Sequence, residues 1–437
     1  MSDDETGPAR PSNRARVRGF FLDIAPLRHD RDFRWLWAGQ AVSGIGNQVT
    51  RIALPYQVYV LTHSTLAIAA LAAFQLVPLL VFALGAGALA DAFDRRRLLL
   101  MTQVGQAAGT AALAVLALQP APSLAAIFAV AAVMASLGAI GHPASASAVP
   151  RLVPPDRLPA AIALNQLSFQ ASSIIGPAIG GILLATVGVA GAYGLDVLTF
   201  AASIVALIAI RPLPPLSSAV RPGLAAIAEG LRFARRRRVI LSTFAIDLNA
   251  MIFGMPVALF PVLALDVFRV GPAGVGLLAA ALATGGFLGA AMSGWVTRVE
   301  RAGRAVAVAV AVWGLAILGF GLATFSFPLA LVLLAVAGAA DLVSAILRST
   351  IVQLETPDEL RGRVTSIHVL VVTGGPRIGD IEAAAVAAAV GAQLSVVSGG
   401  LLCVAGVVAV VRAFPELMAH RTDKRPASLL TVPRSKG

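Results

Sequence analysis

Long apolar stretches separated by short polar segments run through most of this 437-residue chain. A helix needs about 20 mainly apolar residues to cross the hydrocarbon core of a bilayer. By that measure the pattern predicts an all-α integral membrane protein with twelve transmembrane helices. The predicted spans lie near residues 33–61, 66–90, 98–118, 123–148, 159–185, 190–210, 239–265, 273–297, 305–323, 327–350, 363–389 and 393–414.

Basic residues are confined almost entirely to alternate connections between these stretches. Of the 34 Lys and Arg residues, 30 lie in the two terminal tails, in the connections that follow even-numbered stretches, or at the borders of the stretches with these segments. Only Arg269 lies in the opposite set of connections. Because cytoplasmic loops of membrane proteins are enriched in Lys and Arg, both termini are predicted to face the cytoplasm.

The composition excludes an ordinary soluble domain. With 58% hydrophobic and only 13% charged residues, the chain has more apolar surface than a soluble core can hide, so the lipid bilayer must cover the rest. The formal charge of +12 is explained by orientation toward anionic lipid, and no nucleic-acid partner is expected. The polar first 30 residues lead directly into a full-length span, which argues against a cleaved signal peptide.

The sequence contains no group of residues typical of a disulfide, a metal site or an enzyme active site. The single Cys403 and five scattered histidines provide neither a disulfide nor the spacing of metal ligands. We therefore expect no metal, no cofactor and no enzyme activity. The preference for Arg over Lys and the Ala-rich spans are typical of a GC-rich bacterial genome, so a bacterial cytoplasmic membrane is the expected location.

Short motifs recur about 200 residues apart and in the same order. Pro155-Asp156-Arg157-Leu158 is matched by Pro357-Asp358-Glu359-Leu360, and Gly176-Pro177 is matched by Gly375-Pro376. Such repeats predict two six-helix halves. The predicted divisions are a cytoplasmic tail 1–32, a first half 33–211, a cytoplasmic linker 212–238 with an amphipathic helix on the inner leaflet, a second half 239–414 and a cytoplasmic tail 415–437.

Several longer motifs lie between residues 30 and 415. They are Thr62-His63-Ser64-Thr65, Gly87-x-Leu89-Ala90-Asp91, Ser173-Ile174-Ile175-Gly176-Pro177-x-Ile179-Gly180-Gly181, Ala192-Tyr193-Gly194-Leu195 and Thr356-Pro357-Asp358-Glu359-Leu360-Arg361-Gly362-Arg363. Together they resemble the major facilitator superfamily, and within it the enterobactin-exporter and macrolide-efflux branch. The resemblance implies a secondary transporter that exports a small amphipathic molecule, such as a drug or siderophore, driven by inward proton movement.

The resemblance also implies roles for two of these motifs. The loop after the second span resembles the superfamily's cytoplasmic gate, which places Asp91, Arg95 and Arg96 in that gate. The motif in the fifth span resembles one associated with antiporters. A Gly-Pro pair permits a helix bend and nearby glycines permit close helix packing, with direct ligand contact as the alternative. The residues concerned are Gly176, Pro177, Gly180, Gly181, Gly375 and Pro376.

Ionisable residues inside the spans are the sharpest functional signal, because each is unfavourable in hydrocarbon and usually marks a transport pathway or an ion pair. The spans contain three arginines and five carboxylates, the fifth being Asp196. Because three positive charges cannot neutralise five negative ones, some carboxylates are expected to carry a proton part of the time. The candidate proton-coupling residues are Asp341, Asp247, Asp380 and Glu382, with Arg51, Arg348 and Arg377 as charge partners. Buried ion pairs without a transport role are the alternative.

Position along the spans refines these expectations. Arg377 and Asp380 are three residues apart, so they share a helix face and are predicted to pair. Arg348 and Asp196 lie near span ends, where we expect their side chains to reach the interface. Glu382 points away from Asp380 and is expected to face a different helix.

The sequence thus predicts a monomeric, proton-coupled secondary transporter that moves a small molecule through the bilayer. Two alternatives remain open at this point. One is a solute importer of the same fold, and the other is a sensor or scaffold that is derived from a transporter and no longer transports. Neither the substrate nor the direction of transport follows from the residues themselves.

Overall fold

The computed structural model describes residues 23–214 and 224–421, and the part of the chain that it describes is almost entirely helical. Twelve long helices are numbered here in chain order. They are α1 (Arg31–Thr62), α2 (Thr65–Ala92), α3 (Arg95–Ala117), α4 (Leu124–Ala148), α5 (Leu158–Thr186), α6 (Gly188–Ile208), α7 (Arg238–Phe253), α8 (Pro272–Ala291), α9 (Ala302–Leu322), α10 (Phe327–Glu355), α11 (Asp358–Val390) and α12 (Ala392–Ala413).

Within the described residues, ten helical segments are long and apolar enough to cross a membrane on their own. Helices α1 and α11 are not among these ten. Both carry charges in their middle portions, Arg51 in α1 and the Arg377 and Asp380 pair in α11. These embedded charges lower the mean hydropathy of the two helices, which is why neither qualifies as a span by composition.

The seventh crossing is not one continuous helix. Helix α7 ends at Phe253, and after Pro256 the chain continues as a 3-10 turn (Val257–Leu259), a short α-helical turn (Phe260–Val262) and a π-helical turn (Leu263–Val267). Proline lacks the backbone N–H that an α-helix needs, so Pro256 and Pro261 interrupt the regular hydrogen bonds. The apolar pattern at 239–265 predicts the crossing but does not reveal this break.

The helices pack in two sets with the same internal arrangement. In the first set α1 packs against α5 and α6, α4 packs against α2 and α3, and α3 packs against α6. Each of these pairs recurs six helices later, between α7 and α11, α7 and α12, α10 and α8, α10 and α9, and α9 and α12. The two sets meet along α5 with α8 and along α2 with α11.

Small residues allow the two sets to approach closely. A Cβ atom added at Gly181 of α5 would lie 2.8 Å from the carbonyl oxygen of Ala273 and 2.9 Å from the Cα atom of Gly276, both in α8. Any larger side chain would therefore separate these helices. Close backbone approach through small residues is how membrane helices associate when lipid provides no hydrophobic driving force.

The two ends of the bundle differ in how the halves are joined. We call the end where α1 begins and α12 ends the near end, and the end where α1 ends and α2 begins the far end. Far-end side chains of both halves, including Val58 and Leu263, belong to one hydrophobic cluster. At the near end the first half has its own cluster around Phe33 and Leu99. The two halves therefore share apolar packing at the far end.

The linker contains a helix, Leu224–Arg236, that packs against the second half. Ala234 is buried beside Ile240 and Val364, and Arg363 of α11 forms an ion pair with Glu229 at 2.5 Å. Helix-to-helix contact therefore fixes this segment at the near end in addition to any contact with lipid.

Candidate functional site

A buried arginine between two carboxylates forms the first charged cluster. The Nη2 atom of Arg348 lies 2.8 Å from Asp247 Oδ1 and 3.8 Å from Asp341 Oδ1, and its Nη1 atom donates a hydrogen bond of 2.9 Å to Ser344 Oγ. Asp341, Ser344 and Arg348 lie on one face of α10, because their spacings of three, four and seven residues repeat with the helix. Asp247 comes from α7, so the cluster joins two helices of the second half.

The two carboxylates of this cluster are in different environments. The side chains of Asp247 and Arg348 are only 1% and 3% exposed, whereas that of Asp341 is 31% exposed. Asp341 is therefore the member that water can reach. Asp247 serves as the buried counter-charge of Arg348.

A cavity of about 460 Å³ begins at this cluster. It is lined by α7, α10 and α11, with Asp341, Arg348 and His368 as its ionisable residues and Met251 as part of its apolar wall. The His368 ring stacks on Phe244 with 6.0 Å between the ring centroids. Since Ser349, Thr350 and His368 lie on the near-end side of Asp341, the cavity extends from the cluster toward the near end.

The expectation that Arg348 and Asp196 reach the interface is wrong. Arg348 is held inside by Asp247 on the neighbouring helix. Asp196 is 0% exposed and accepts hydrogen bonds from the hydroxyl groups of Thr50 at 2.5 Å, Thr110 at 3.2 Å and Thr199 at 3.3 Å. Within the described residues Asp196 has no ion-pair partner, so hydroxyl donors from α1, α3 and α6 stabilise it instead.

A second group of charges lies on α11, with Arg51 of α1 within electrostatic range of it. Arg377 and Asp380 form the predicted pair, with Arg377 Nη1 3.5 Å from Asp380 Oδ2. The backbone N–H of Ala258 also lies near Asp380 and favours its charged form. That donor is available because the break after α7 starts a new helical turn there, and the first N–H groups of a helix have no partner inside it. The charge of Arg51 interacts with both Arg377 and Asp380 across the helix boundary.

Arg51 differs from the other embedded arginines in its surroundings. It lies deep in α1 but is exposed, and within the described residues it has neither a hydrogen bond nor an ion pair within 4 Å. Gln48, which lies on the preceding turn of α1, donates a hydrogen bond of 2.8 Å to Ser173 of α5. Glu382 belongs to neither cluster, and no ion-pair partner for it is found in the described parts of α1 to α12.

The near-end residues predicted to form a gate are only partly described. The side chain of Asp91 lies outside the described residues, although its backbone belongs to α2. Arg95 is buried and its Nε atom donates to Ser147 Oγ at 3.0 Å. Arg96 donates to the carbonyl oxygens of Leu207 at 2.9 Å and Ile208 at 2.7 Å, which caps the end of α6 within the first half.

The glycine and proline residues singled out in the sequence lie at helix contacts. Gly176 faces Gln48 of α1, and Gly180 faces Ile52 of the same helix. Pro177 and Pro376 lie inside α5 and α11 without ending either helix. Gly375 faces Met251 of α7, with a Cβ atom at that position 3.2 Å from the Met251 Cβ. Because Met251 lines the cavity, Gly375 contacts the side of Met251 away from the other lining residues.

The far end contains a contact between the halves that sequence reasoning missed. The hydroxyl group of Tyr59 in α1 donates a hydrogen bond to the carboxylate of Asp266 in the π-helical turn after α7. Tyr59 is 5% exposed, and its ring meets His63 edge-on. Nothing in the local sequence links two residues 207 positions apart. The contact exists because the broken segment returns Asp266 to the end of α1.

A family model described as transmembrane secretion effector matches residues 22–433 of the chain. The chain belongs to this family of the major facilitator superfamily. As a member of the transmembrane secretion effector family, it is a multi-pass membrane transporter and not an enzyme.

Curated relatives support the same assignment. The enterobactin exporter EntS of Citrobacter koseri is 28% identical over 399 residues, which cover 90% of this chain and 93% of that protein. The enterobactin exporter EntS of Escherichia coli O1:K1 is 29% identical over 387 residues, which cover 87% of this chain and 90% of that protein. The similarity thus extends over nearly the whole transport domain.

Solved structures share the fold at low sequence identity. A POT family transporter in complex with 5-aminolevulinic acid has a TM-score of 0.71 at 13% identity, covering 91% of this chain and 98% of that one. A bacterial homolog of the human lysosomal transporter Spinster, in an inward-facing and unoccupied conformation, has a TM-score of 0.69 at 15% identity, covering 92% and 100%. These likenesses establish the major facilitator fold for this family member.

Proposed function

We propose that the protein is a proton-coupled exporter of a small amphipathic molecule, a drug or a siderophore, and works by alternating access. The observation that supports this most is the water-accessible Asp341 beside Arg348 and Asp247 at the cavity. Ionisable groups inside a membrane protein usually mark an ion or substrate path. The enterobactin exporters among the relatives support export of a siderophore-like molecule.

Asp341 is the proposed proton site. When its carboxylate is ionised, Arg348 is shared between Asp341 on its own helix and Asp247 on α7. When Asp341 takes a proton, the charge of Arg348 is balanced by Asp247 alone, and the contact between α10 and α7 becomes stronger. Proton binding therefore changes how firmly two cavity-lining helices are joined. Asp247 and Asp380 are the secondary candidates, followed by Glu382.

Alternating access requires the two ends to open in turn. The shared far-end cluster and the Tyr59 to Asp266 hydrogen bond correspond to a state that is closed at the far end. The cavity that extends from Asp341 toward the near end corresponds to an open near end. Export then needs the far-end contacts to break and the near-end gate, which we assign to Asp91, Arg95 and Arg96, to close.

We infer that the near end faces the cytoplasm of a bacterial cell, because the basic residues gather there. Single cysteines introduced at Ser64 and at Asp156, in a Cys403→Ala background, are expected to react with a membrane-impermeant maleimide from opposite sides. In intact cells the Ser64→Cys protein is labelled, and the Asp156→Cys protein is labelled only after permeabilisation. Labelling of both from outside would contradict the proposed orientation.

Transport itself is tested with a panel of drugs and catecholate siderophores in a host that lacks its own pumps. Cells that express the protein are expected to accumulate less of the substrate, and an uncoupler is expected to restore accumulation. Greater accumulation on expression indicates an importer. Absence of proton-dependent flux for every compound in proteoliposomes indicates a sensor or scaffold, and either result overturns the proposal.

The pair of Arg377 and Asp380 offers a further test of function. Because their side chains are 33% and 14% exposed, Arg377→Ala and Asp380→Ala are each expected to destabilise the protein by less than the roughly 3–5 kcal/mol of a fully buried pair. The double mutant is expected to recover abundance in the membrane but not transport, because either Arg377 or Asp380 also binds the proton or the substrate. Abundance is measured by immunoblot and transport by efflux. A fully active double mutant would mean that the pair is only structural.

A further inference from the structure

The embedded charges near the cavity divide into two clusters of opposite net charge. Arg348 with Asp247 and Asp341 has one excess negative charge when both carboxylates are ionised. Arg51 and Arg377 with Asp380 have one excess positive charge. Asp196 is sealed among threonine hydroxyls and takes no part in this balance. The first cluster can be neutralised by a proton, but the second needs an anion.

Both clusters border the contact between α7 and α11, because Asp247 of the first lies on α7 and Arg377 and Asp380 of the second lie on α11. His368 lines the cavity near the first cluster, and Arg377 lies nine residues further along α11, or about 14 Å at the rise of an α-helix. Met251 connects them, because it lines the cavity and packs against Gly375, two residues before Arg377. The cavity lining reaches Val372, five residues or about 7.5 Å before Arg377 on the same helix, so the positive cluster lies just beyond the end of the cavity.

Within the positive cluster, Arg51 is the group that is open to a ligand. Arg377 and Asp380 form an ion pair with each other, and the nearby backbone N–H of Ala258 also favours the charge of Asp380. Arg51 is exposed and, among the described residues, has no hydrogen-bond partner. A guanidinium group at this depth is unfavourable unless an anion meets it, and its planar fork suits a carboxylate or a similar oxyanion.

We propose that Arg51, within electrostatic range of Arg377, binds a compact oxyanion of the transported molecule, so that the natural substrate carries a carboxylate or comparable anionic group on an apolar body. This inference rests on the proposed transport function. It assigns the negative cluster at Asp341 to the proton and the positive cluster at Arg51 to the substrate. Asp380 holds Arg377 in place and limits the excess charge when the site is empty.

The test compares two xanthene dyes of similar size and opposite charge, anionic fluorescein and cationic rhodamine 123. Binding to the purified full-length protein in nanodiscs is measured by fluorescence polarisation at equilibrium. The wild-type protein is expected to bind fluorescein more tightly than rhodamine 123. Arg51→Gln is expected to weaken fluorescein binding by about 10- to 100-fold, the loss that follows removal of a charge-assisted hydrogen bond.

Matched variants separate the local effect from a change in total charge. Arg412→Gln removes an exposed arginine in the last turn of α12 and is expected to leave fluorescein binding unchanged. Arg51→Lys keeps the charge but loses the planar fork, so an intermediate affinity is expected. Rhodamine 123 binding and the thermal unfolding temperature report whether Arg51→Gln remains folded.

The outcomes are distinct. Absence of fluorescein binding to the wild-type protein, a preference for rhodamine 123, or equal fluorescein affinities of the wild-type and a folded Arg51→Gln protein would each overturn the anion site. Because binding is measured without a proton gradient, these results do not depend on coupled export. Conversely, loss of proton-driven flux with intact fluorescein binding would overturn the proposed function and leave the anion site standing.

Discussion

The substitution Asp341→Asn is expected to abolish uphill transport while the protein stays folded and still binds its substrate. Asparagine has nearly the same shape as aspartate but cannot release or take up a proton. Asp341 is 3.8 Å from Arg348, whereas Asp247 is 2.8 Å away, so Arg348 keeps its closer partner in the mutant. Proteoliposomes with an imposed pH gradient measure uphill transport. Exchange of labelled for unlabelled substrate without a gradient measures binding and movement across the membrane.

The matched control is Asp156→Asn, which changes a carboxylate in the same way on a side chain that is 76% exposed at the near end. Transport by this control is expected to equal that of the wild-type protein. If the Asp341→Asn protein still concentrates its substrate at the wild-type rate, proton coupling does not occur at Asp341. Asp247, which shares Arg348, then becomes the residue to replace.

The substitution Arg348→Ala is expected to cause the largest loss of stability among the embedded charges. It leaves Asp247, whose side chain is 1% exposed, without its cation. Removing one partner of a buried ion pair destabilises a protein by about 3–5 kcal/mol. The thermal unfolding temperature of the purified protein and its abundance in the membrane are both expected to fall sharply.

The double substitution Asp247→Asn with Arg348→Gln removes both charges and is expected to restore abundance without restoring proton-driven transport. Arg377→Ala is the matched substitution of another embedded arginine. Because Arg377 and Asp380 are more exposed than Arg348 and Asp247, Arg377→Ala is expected to lower the stability of the protein less than Arg348→Ala does. Equal losses for the two single substitutions would show that burial does not govern the stability of these pairs. A stable Arg348→Ala protein would mean that Asp247 is protonated in the resting state.

Some parts of the candidate site follow from local sequence spacing. Arg377 and Asp380 are three residues apart on one helix, and a three-residue spacing places side chains on the same face whatever the rest of the chain does. Their ion pair in the structure confirms that prediction. The same reasoning places Ser344 beside Arg348, although no sequence pattern singled out Ser344.

Other parts depend on which helices become neighbours. Arg348 reaches Asp247 of α7, and Asp196 reaches Thr50 and Thr110 of two further helices. The distance of a residue from the end of its span decides only whether its side chain is long enough to reach the interface. It does not reveal a closer partner inside, and for this reason the interface prediction failed for both residues.

By itself the sequence determined that this is a helical membrane protein with about twelve crossings, because the length of an apolar stretch is set by the thickness of the bilayer. It also determined the family, because the motifs span nearly the whole chain. Only the tertiary structure decided where the embedded charges meet. The break after α7 brings the backbone N–H of Ala258 near the carboxylate of Asp380. Contact between α7 and α10 joins Arg348 to Asp247, and the side chain of Arg51 stays exposed. Such contacts join residues far apart in the chain, and their formation depends on the packing of whole helices rather than on local periodicity.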